Sequence, residues 1–313
     1  MNKIKVVFMG TPSFAVPILE GLIENYNVAM VVCQPDRKKN RKGEVIKPDT
    51  KVIAENNNIK VFQPYDIRKD YKEIIKVNPD IIITCAYGQI IPEEILKTPK
   101  LGCINVHGSL LPKLRGGAPI HHAIINGDKV TGVTVMTMDK KMDAGDIIST
   151  RSIEIPDDMI LDDLYTKMSY LGRDLLLDTM PSIIDGTCTH TKQNEEEVTF
   201  GFNISKEEEK IDFNCEGIDI KNKVRGLNST PGAYCIMDNL RMKIYEVEIK
   251  ENIKYKNKVI GEIVEVNNDS FGVICSDSIV YIKDIAIEGK KRCRVKDYFN
   301  GIKKNSLVGK VLV

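Results

Sequence analysis

The first half of the chain alternates continuous apolar runs with stretches that repeat apolar residues at helical spacing. The apolar runs lie at 4–10, 27–34, 61–62, 80–87 and 103–107. The helical stretches lie near 15–24, 50–56 and 68–77. Apolar strands separated by helices are typical of βαβ units, in which a parallel sheet is covered on both faces. The pattern therefore predicts a Rossmann-like α/β domain.

Two further strands and a long helix are predicted to complete this domain. The strands lie at 131–139 and 146–155. An amphipathic helix that packs on the sheet is indicated by apolar residues at spacings of three and four, namely Leu161, Leu164, Met168, Leu171 and Leu175. Ligands of such sheets bind beyond the carboxyl ends of the strands. We therefore expect a cleft among the loops 9–13, 34–47, 86–92 and 107–117.

The last third of the chain has a different pattern. A polar, acidic stretch at 189–205 is typical of a linker, and a helical stretch follows near 215–227. Six short alternating segments come next, ending with GKVLV at 309–313, and they predict a small antiparallel barrel. The predicted fold class is α/β, with a Rossmann-like, mostly parallel sheet domain followed by an OB-like antiparallel β-barrel domain. The predicted divisions are 1–188, a linker at 189–204, and 205–313.

Composition narrows the class of protein. The 313 residues are 42% hydrophobic and 28% charged, which is usual for a globular protein. No apolar run approaches the roughly 18 residues of a membrane helix, so we expect a cytoplasmic protein without a membrane partner. The eight cysteines are scattered without a C-x-x-C pair, which favours buried free thiols over disulfides or a zinc site. We expect no bound metal.

Candidate chemistry is concentrated after the strand at 103–107. Asn105 and His107 are two residues apart at its end, so their side chains share one face of the sheet. Two such groups can donate hydrogen bonds to one oxygen, as an acyl-transfer intermediate requires. The alternative is that both cap nearby loop backbone. Downstream, Asp143 or Asp146 can orient a histidine or accept a proton, although acidic hairpin turns are also common as solvated turns.

The loop after His107 contains residues that shape its backbone. Pro112 and Pro119 fix backbone angles, and Gly116 and Gly117 permit unusual ones. Such a loop suits a flat heteroaromatic ligand, and the alternative is an ordinary surface loop. The first strand is not followed by a complete G-x-G-x-x-G, which disfavours dinucleotide binding. The other histidines, which we interpret as structural or solvated, are His121, His122 and His190.

Two basic segments are candidates for binding a phosphate-rich partner. Six of the 12 residues from 36 to 47 are Lys or Arg, at the carboxyl end of the second predicted strand. Five of the eight residues at 289–296 are basic and would form a basic face on the barrel. For the first segment, the alternative is a solvated, flexible loop.

Five motifs, in order and spacing, resemble those of the methionyl-tRNA formyltransferases, a family of folate-dependent enzymes. The motifs are VFMGTPSFAVP (7–17), CQPDRKKNRKG (33–43), AYGQIIP (86–92), CINVHGSLLPKLRGGAPI (103–120) and MDAGD (142–146). In addition, ISKEEEKIDF (204–213) resembles the start of that family's tRNA-binding domain. The resemblance therefore covers nearly the whole chain.

The resemblance implies transfer of a formyl group from the co-substrate 10-formyltetrahydrofolate to the α-amino group of methionine on initiator methionyl-tRNA. It implies that Asn105 and protonated His107 stabilise an oxyanion, and that Asp143 holds His107 and helps to move the amine proton. The implied folate-binding residues are Ser109, Leu110, Leu111, Pro112, Ala86, Tyr87, Gly88, Ile90, Ile91 and Asp139. The candidate tRNA-binding residues of the two basic segments are Arg37, Lys38, Lys39, Arg41, Lys42, Lys290, Lys291, Arg292 and Arg294. No obligate protein partner is implied, and we expect a monomer.

The chain departs from the family pattern in a few places. It reads RKG at 41–43 where RGK is usual, IDF where IDW is frequent, and it lacks an aromatic beside the proline of LNSTPGAY (227–234). One alternative keeps the fold and the folate chemistry but acts on a small acceptor, namely an amino-sugar nucleotide, glycinamide ribonucleotide or water. Another is a non-catalytic RNA-binding protein. The barrel and the basic loop favour tRNA over a small acceptor, and the intact Asn, His and Asp favour an enzyme.

Overall fold

The computed structural model describes residues 4–39, 44–251, 255 and 257–313. The chain divides into two compact units. The first comprises Met1–Pro119, Val130–Glu154 and Tyr165–Phe202. The second comprises Ile120–Lys129, Ile155–Leu164 and Asn203–Val313. The predicted domain and linker boundaries stay a prediction.

The strands and helices are numbered in chain order. The strands are β1 (Lys5–Gly10), β2 (Asn27–Val32), β3 (Arg37–Lys39), β4 (Glu44–Ile46), β5 (Lys60–Phe62), β6 (Ile81–Cys85), β7 (Cys103–His107), β8 (Val130–Thr137), β9 (Ile147–Glu154), β10 (Ala233–Met237), β11 (Leu240–Glu251), β12 (Ile263–Val266), β13 (Phe271–Ile274), β14 (Ser278–Ile287) and β15 (Cys293–Arg294). The helices are α1 (Val16–Asn25), α2 (Asp49–Asn56), α3 (Lys72–Val77), α4 (Glu93–Leu96), α5 (Pro119–Ile125), α6 (Leu161–Asp185), α7 (Gly217–Gly226) and α8 (Val295–Tyr298).

The first unit contains a seven-stranded sheet in the order β5-β2-β1-β6-β7-β8-β9. The strands from β5 to β7 pair in parallel, whereas β7–β8 and β8–β9 are antiparallel. The predicted Rossmann-like, mostly parallel sheet is therefore confirmed, and the two further predicted strands are β8 and β9. Within the basic loop, β3 and β4 form a hairpin that the apolar pattern did not predict.

The long helix α6 packs on this sheet, as its apolar repeat predicts, and it continues to Asp185. Its Gly172 allows the close approach, because a Cβ there would lie 3.1 Å from Cγ1 of Val106 on β7 and 3.5 Å from Val133 on β8. The helix thus covers the face of β7 to which Val106 points. Since side chains alternate along a strand, Asn105 and His107 belong to the opposite face.

The second unit contains an antiparallel sheet in the order β10-β11-β14-β13-β12, with β15 on β14. The first five predicted strands are β10 to β14, which confirms the antiparallel architecture. The prediction of a sixth regular strand at 309–313 was wrong, because those residues make isolated bonds to two strands instead. Ile263 N donates to Lys310 O at 2.8 Å, and Val313 N donates to Ile236 O at 3.1 Å. This tail joins β12 to β10, the two ends of the sheet order, and so closes the sheet.

Two predictions about composition can be compared with the structure. Five of the eight free cysteines are buried, as the apolar contexts predict, whereas Cys215 is exposed. Among the described residues, no helix is both long enough and apolar enough to span a bilayer.

Candidate active site

Asn105 is oriented by the neighbouring strand. The parallel register of β6 and β7 places Thr84 beside Asn105, and Thr84 Oγ1 donates to Asn105 Oδ1 at 2.8 Å. Thr84 is only 2% exposed, so this hydroxyl is a fixed part of the sheet. Because Oδ1 is engaged, the NH₂ group is the part of Asn105 that can donate to a ligand.

His107 is held by the loop that follows β7. Its Nε2 lies 3.1 Å from the carbonyl oxygen of Leu114. A carbonyl only accepts, so Nε2 carries the proton and donates this bond. The other nitrogen, Nδ1, faces Asp143, with 3.8 Å between Nδ1 and Oδ2. That distance exceeds a hydrogen bond, so the carboxylate acts on the ring through its charge.

Asp143 is the acidic candidate that the structure brings to His107. It lies in a turn with a left-handed φ of 50°. Its Oδ2 accepts a hydrogen bond of 2.8 Å from Gly116 N, and its carbonyl oxygen accepts one of 2.8 Å from Gln193 Nε2. His107 and Asp143 have side chains that are 6% and 17% exposed, so their interaction is weakly screened by solvent.

The loop from Gly108 to Ala118 is fastened to the sheet. Thr134 Oγ1 donates to Ser109 O at 2.7 Å and accepts from Leu111 N at 3.1 Å. Ser109 Oγ donates to Lys113 O at 2.6 Å. Ser109 and Leu111 are buried, whereas Leu110 and Pro112 are half-buried. The loop therefore has one defined shape, as its prolines and glycines suggest.

The second predicted folate-binding segment alternates between exposed and buried residues. Ala86, Gly88 and Ile90 are exposed, whereas Tyr87 and Ile91 pack in the hydrophobic core of the sheet. The Tyr87 hydroxyl has no hydrogen-bond partner among the described residues, and burial raises its pKa. The ring of Tyr87 therefore belongs to the core and not to the exposed side of this segment.

A salt bridge joins this segment to the turn that carries Asp143. Lys140 Nζ lies 2.7 Å from Glu93 Oε2, at the start of α4. Hydrogen bonds from Lys140 and Lys97 lower the pKa of Glu93 to about 2. The neighbouring Asp139 is exposed. The structure thus joins the 139–143 turn to the start of α4, which directly follows the 86–92 segment.

The candidate tRNA-binding residues have different surroundings. Arg37 lies on β3 and is exposed. Lys38 and Lys39 lie on the same strand, and their backbone pairs with β4. Arg41 and Lys42 lie outside the described residues. In the second basic segment, Lys290 and Lys291 are exposed.

The two arginines of that second segment carry acidic partners. Arg292 Nη2 lies 3.0 Å from Asp284 Oδ2, and Arg294 pairs with Glu246. Their positive charge is therefore largely neutralised within the unit.

Sequence reasoning missed the residues that support the site. Thr84 on β6 and Thr134 on β8 lie on the two strands that flank β7, and only the structure shows what they contact. Arg115 is 4% exposed, and Gln193 lies in the stretch that its polarity marks as a linker. A short polar residue within an otherwise apolar strand, as in IIITC, is the one signal that would have pointed to Thr84.

The parallel sheet with Asn, His and Asp at its carboxyl edge, followed by a closed antiparallel sheet, defines a two-unit α/β enzyme. Residues 2–180 match the family described as Formyl transferase, and residues 203–303 match the Formyl transferase C-terminal domain. The chain therefore belongs to the formyl transferase family.

One relative and two solved structures illustrate the similarity. The chain is 43% identical over 312 residues to the Methionyl-tRNA formyltransferase of Staphylococcus aureus (strain MW2), with 99% of each protein covered. It resembles the N-formyltransferase from Helicobacter canadensis in complex with folinic acid and dTDP-3-aminofucose, at 24% identity and a TM-score of 0.69, covering 89% of this chain and 98% of that one.

It also resembles HypX from Aquifex aeolicus in complex with tetrahydrofolic acid, at 17% identity and a TM-score of 0.62. The match covers 96% of this chain, which spans about half the length of HypX (47%). At these identities the two structural similarities concern the fold alone.

Proposed function

We propose that the protein transfers a formyl group from 10-formyltetrahydrofolate to the α-amino group of methionine on initiator methionyl-tRNA. The observation that carries the proposal is the convergence of Asn105, His107 and Asp143 at one sheet edge, in a chain 43% identical over nearly its full length to a methionyl-tRNA formyltransferase. The small-acceptor and non-catalytic alternatives become outcomes of the test below.

In the proposed reaction, the amine nitrogen forms a bond to the formyl carbon, and the bond from that carbon to N10 of the folate breaks. The amine gives up one proton and N10 gains one. The NH₂ of Asn105 and a protonated Nδ1 of His107 donate to the oxygen that becomes negatively charged. Asp143 stabilises the charged imidazole and accepts the amine proton. The Leu114 carbonyl keeps His107 in the orientation that this role requires.

The fastened loop supports a folate site at the same edge. Thr134 of β8 holds the backbone of Ser109 and Leu111 by two hydrogen bonds. The loop backbone is therefore preorganised to bind the flat pterin ring of the folate. The exposed backbone of Ala86 and Gly88 follows the adjacent strand β6, and both residues have left-handed φ values of 48° and 89°. Polar backbone groups from two neighbouring strand ends suit the hydrogen-bonding edge of a pterin.

The remaining proposals follow from this activity. The acceptor stem of the tRNA would be attracted by the first basic segment, with Arg37, Lys38, Lys39, Arg41 and Lys42. The tRNA backbone would bind the second basic segment, with Lys290, Lys291, Arg292 and Arg294. The protein would act as a cytoplasmic monomer with a catalytic domain at 1–188 and a tRNA-binding domain at 205–313. Within the described residues, no group of three or more His, Cys, Asp and Glu side chains is arranged to hold a metal ion.

The proposal is tested by incubating purified protein with 10-formyltetrahydrofolate and either initiator or elongator methionyl-tRNA, and measuring formylmethionine. We expect product with the initiator tRNA and little with the elongator tRNA. Parallel reactions contain an amino-sugar nucleotide, glycinamide ribonucleotide or no acceptor. Formylation of a small acceptor, or release of formate, without formylation of tRNA would contradict the proposal.

A further inference from the structure

A segment of the first unit, residues 191–202, runs along the loop that anchors the active site. We call it the strap. Leu114 N donates to Thr199 Oγ1 at 2.9 Å, and Arg115 N donates to Thr199 O at 2.9 Å. Gly201 N donates to Arg115 O at 2.8 Å. The strap is therefore bonded on both sides of Arg115.

Within the strap, Gln193 uses its whole side-chain amide. Its Nε2 donates to the carbonyl oxygens of Asp143 and Gly145, both at 2.8 Å. Its Oε1 accepts from Nε and Nη2 of Arg115, at 3.0 and 2.8 Å. A single amide thus links the turn of Asp143 to the buried guanidinium of Arg115.

Arg115 lies between the two residues that hold the catalytic pair. Leu114, before it, accepts from His107, and Gly116, after it, donates to Asp143. A buried guanidinium needs partners for its donors. Arg115 finds a neutral partner in Gln193 and a charged one in Glu195, at 2.8 Å. Any movement of Arg115 would therefore be transmitted to both catalytic side chains.

We propose that Gln193 is a positioning residue that sets the separation of His107 and Asp143 by tying the backbone of residues 143 and 145 to Arg115. It touches neither catalytic side chain. Its effect is exerted through the carbonyl of Asp143 on one side and through Arg115 and its neighbours on the other. This inference rests on the proposed formyl transfer for its kinetic consequence.

Gln193→Glu separates the two functions of the amide. The variant keeps the side-chain length and gives Arg115 a charged partner, but it removes both donors and places carboxylate oxygen against two carbonyl oxygens. Gln193→Ala removes both contacts. The matched control is Asn194→Ala. Asn194 is also a strap amide, but among the described residues its side chain bonds only to Glu196 N, within the strap.

We expect both Gln193 variants to lower kcat for formylation at least about tenfold while the KM for each substrate changes less than about twofold, because the transition-state geometry is affected and not binding. Asn194→Ala should stay within about twofold of the wild type in all three constants. A Gln193→Glu enzyme as active as the wild type would overturn the proposal, because satisfying Arg115 would then be sufficient. A rise in KM with unchanged kcat would also overturn it.

A second readout does not depend on activity. The amide of Gly116 donates to Asp143 Oδ2, so its hydrogen exchange reports how firmly Asp143 is held. We expect exchange at Gly116 to rise at least about fivefold in Gln193→Glu and not in Asn194→Ala. Unchanged hydrogen exchange at Gly116 in Gln193→Glu would contradict the proposal that Gln193 holds Asp143 in place. If wild-type protein forms no formylmethionyl-tRNA, the proposed function fails, and the exchange measurement still decides whether Gln193 holds Asp143.

Discussion

The carboxyl edge of the first sheet and the basic segment at 289–296 both concentrate polar residues in a short stretch of sequence, but their surroundings differ. At the edge, Asn105 has one polar group fixed by Thr84 and another left to donate. In the basic segment, Arg292 and Arg294 are paired with acidic residues of neighbouring strands. In the first region a hydrogen-bond donor is available to a ligand. In the second region both arginines form salt bridges within the protein.

The difference comes from the register of the strands. Asp284 of β14 lies opposite Arg294 of β15, and Glu246 of β11 lies opposite Asp284. The two arginines of the basic segment therefore face two carboxylates on adjacent strands of the sheet. At the edge of the first sheet, Asn105 meets the neutral hydroxyl of Thr84 instead. Density of charge along the chain is thus a weaker guide to function than the cross-strand neighbour.

The largest expected effect is at the sheet edge. Asn105→Ala removes a donor to the developing oxyanion, and we expect formylation to slow at least about a hundredfold. Single-turnover formylation of initiator methionyl-tRNA at saturating folate measures this rate. A rate within about threefold of the wild type would mean that Asn105 has only a structural role, in its bond with Thr84.

The cross-strand neighbour should have a smaller effect. Thr84→Val keeps the volume but removes the hydroxyl that fixes Asn105, so we expect about a tenfold loss of kcat. Thr84→Ser keeps the hydroxyl and serves as the control, with a rate within about threefold of the wild type. Equal losses in both variants would indicate a packing defect rather than a lost hydrogen bond.

His121, on α5, is a titratable residue outside both regions. Burial lowers its pKa from the usual 6.5 of a histidine side chain to about 4. As the pH falls through this window, the unfolded state binds a proton that the folded state does not, so the group reduces stability at acidic pH. Glutamine does not titrate, so we expect the free energy of unfolding of His121→Gln to fall less than that of the wild type between about pH 7 and pH 4. Because His121 is partly exposed, the difference should be on the order of 1 kcal/mol. Denaturant unfolding across this range measures the difference, and parallel curves would contradict it.

The smallest expected effects concern the basic segment, in which a lysine and a salt-bridged arginine are compared. No ion pair of the described residues includes Lys291, so Lys291→Ala should raise the KM for tRNA about two- to threefold and lower its salt dependence by about one unit of slope. Arg294→Ala should change both less, because Glu246 already neutralises that guanidinium. Titration of tRNA at several salt concentrations measures both effects. A larger effect of Arg294→Ala than of Lys291→Ala would contradict the view that the paired arginine contributes less to tRNA binding.

Much of the fold was predictable because apolar periodicity reports burial directly. It predicted the seven strands of the first sheet, namely β1, β2 and β5 to β9, and the helix α6. It also identified Asn105 and His107 through their position at a strand end. It did not predict the hairpin of β3 and β4, whose residues are mainly charged. It also assigned a strand to 309–313, where an apolar alternation serves only to close the sheet.

The support of the site was not predictable from the sequence. Gln193 lies 50 residues beyond Asp143, in a stretch whose polarity is typical of a linker. Its amide accepts from the Arg115 side chain and donates to the backbone carbonyls of Asp143 and Gly145. The bonds to carbonyls leave no pattern in the identities of the residues that they reach. The same is true of Thr134, whose hydroxyl bonds the backbone of Ser109 and Leu111. Thr84 differs, because a polar residue in an apolar strand is a signal, but only the register shows that it contacts Asn105.

The most direct test of the central claim is the single-turnover rate of formyl transfer to initiator methionyl-tRNA by the wild type and by Asp143→Ala, measured together with folate binding. We expect the wild type to form formylmethionyl-tRNA, and the variant to be at least about a hundredfold slower while binding folate with unchanged affinity, because Asp143 acts on His107 and the amine proton. Equal rates for the two proteins, or no product from the wild type, would contradict the account.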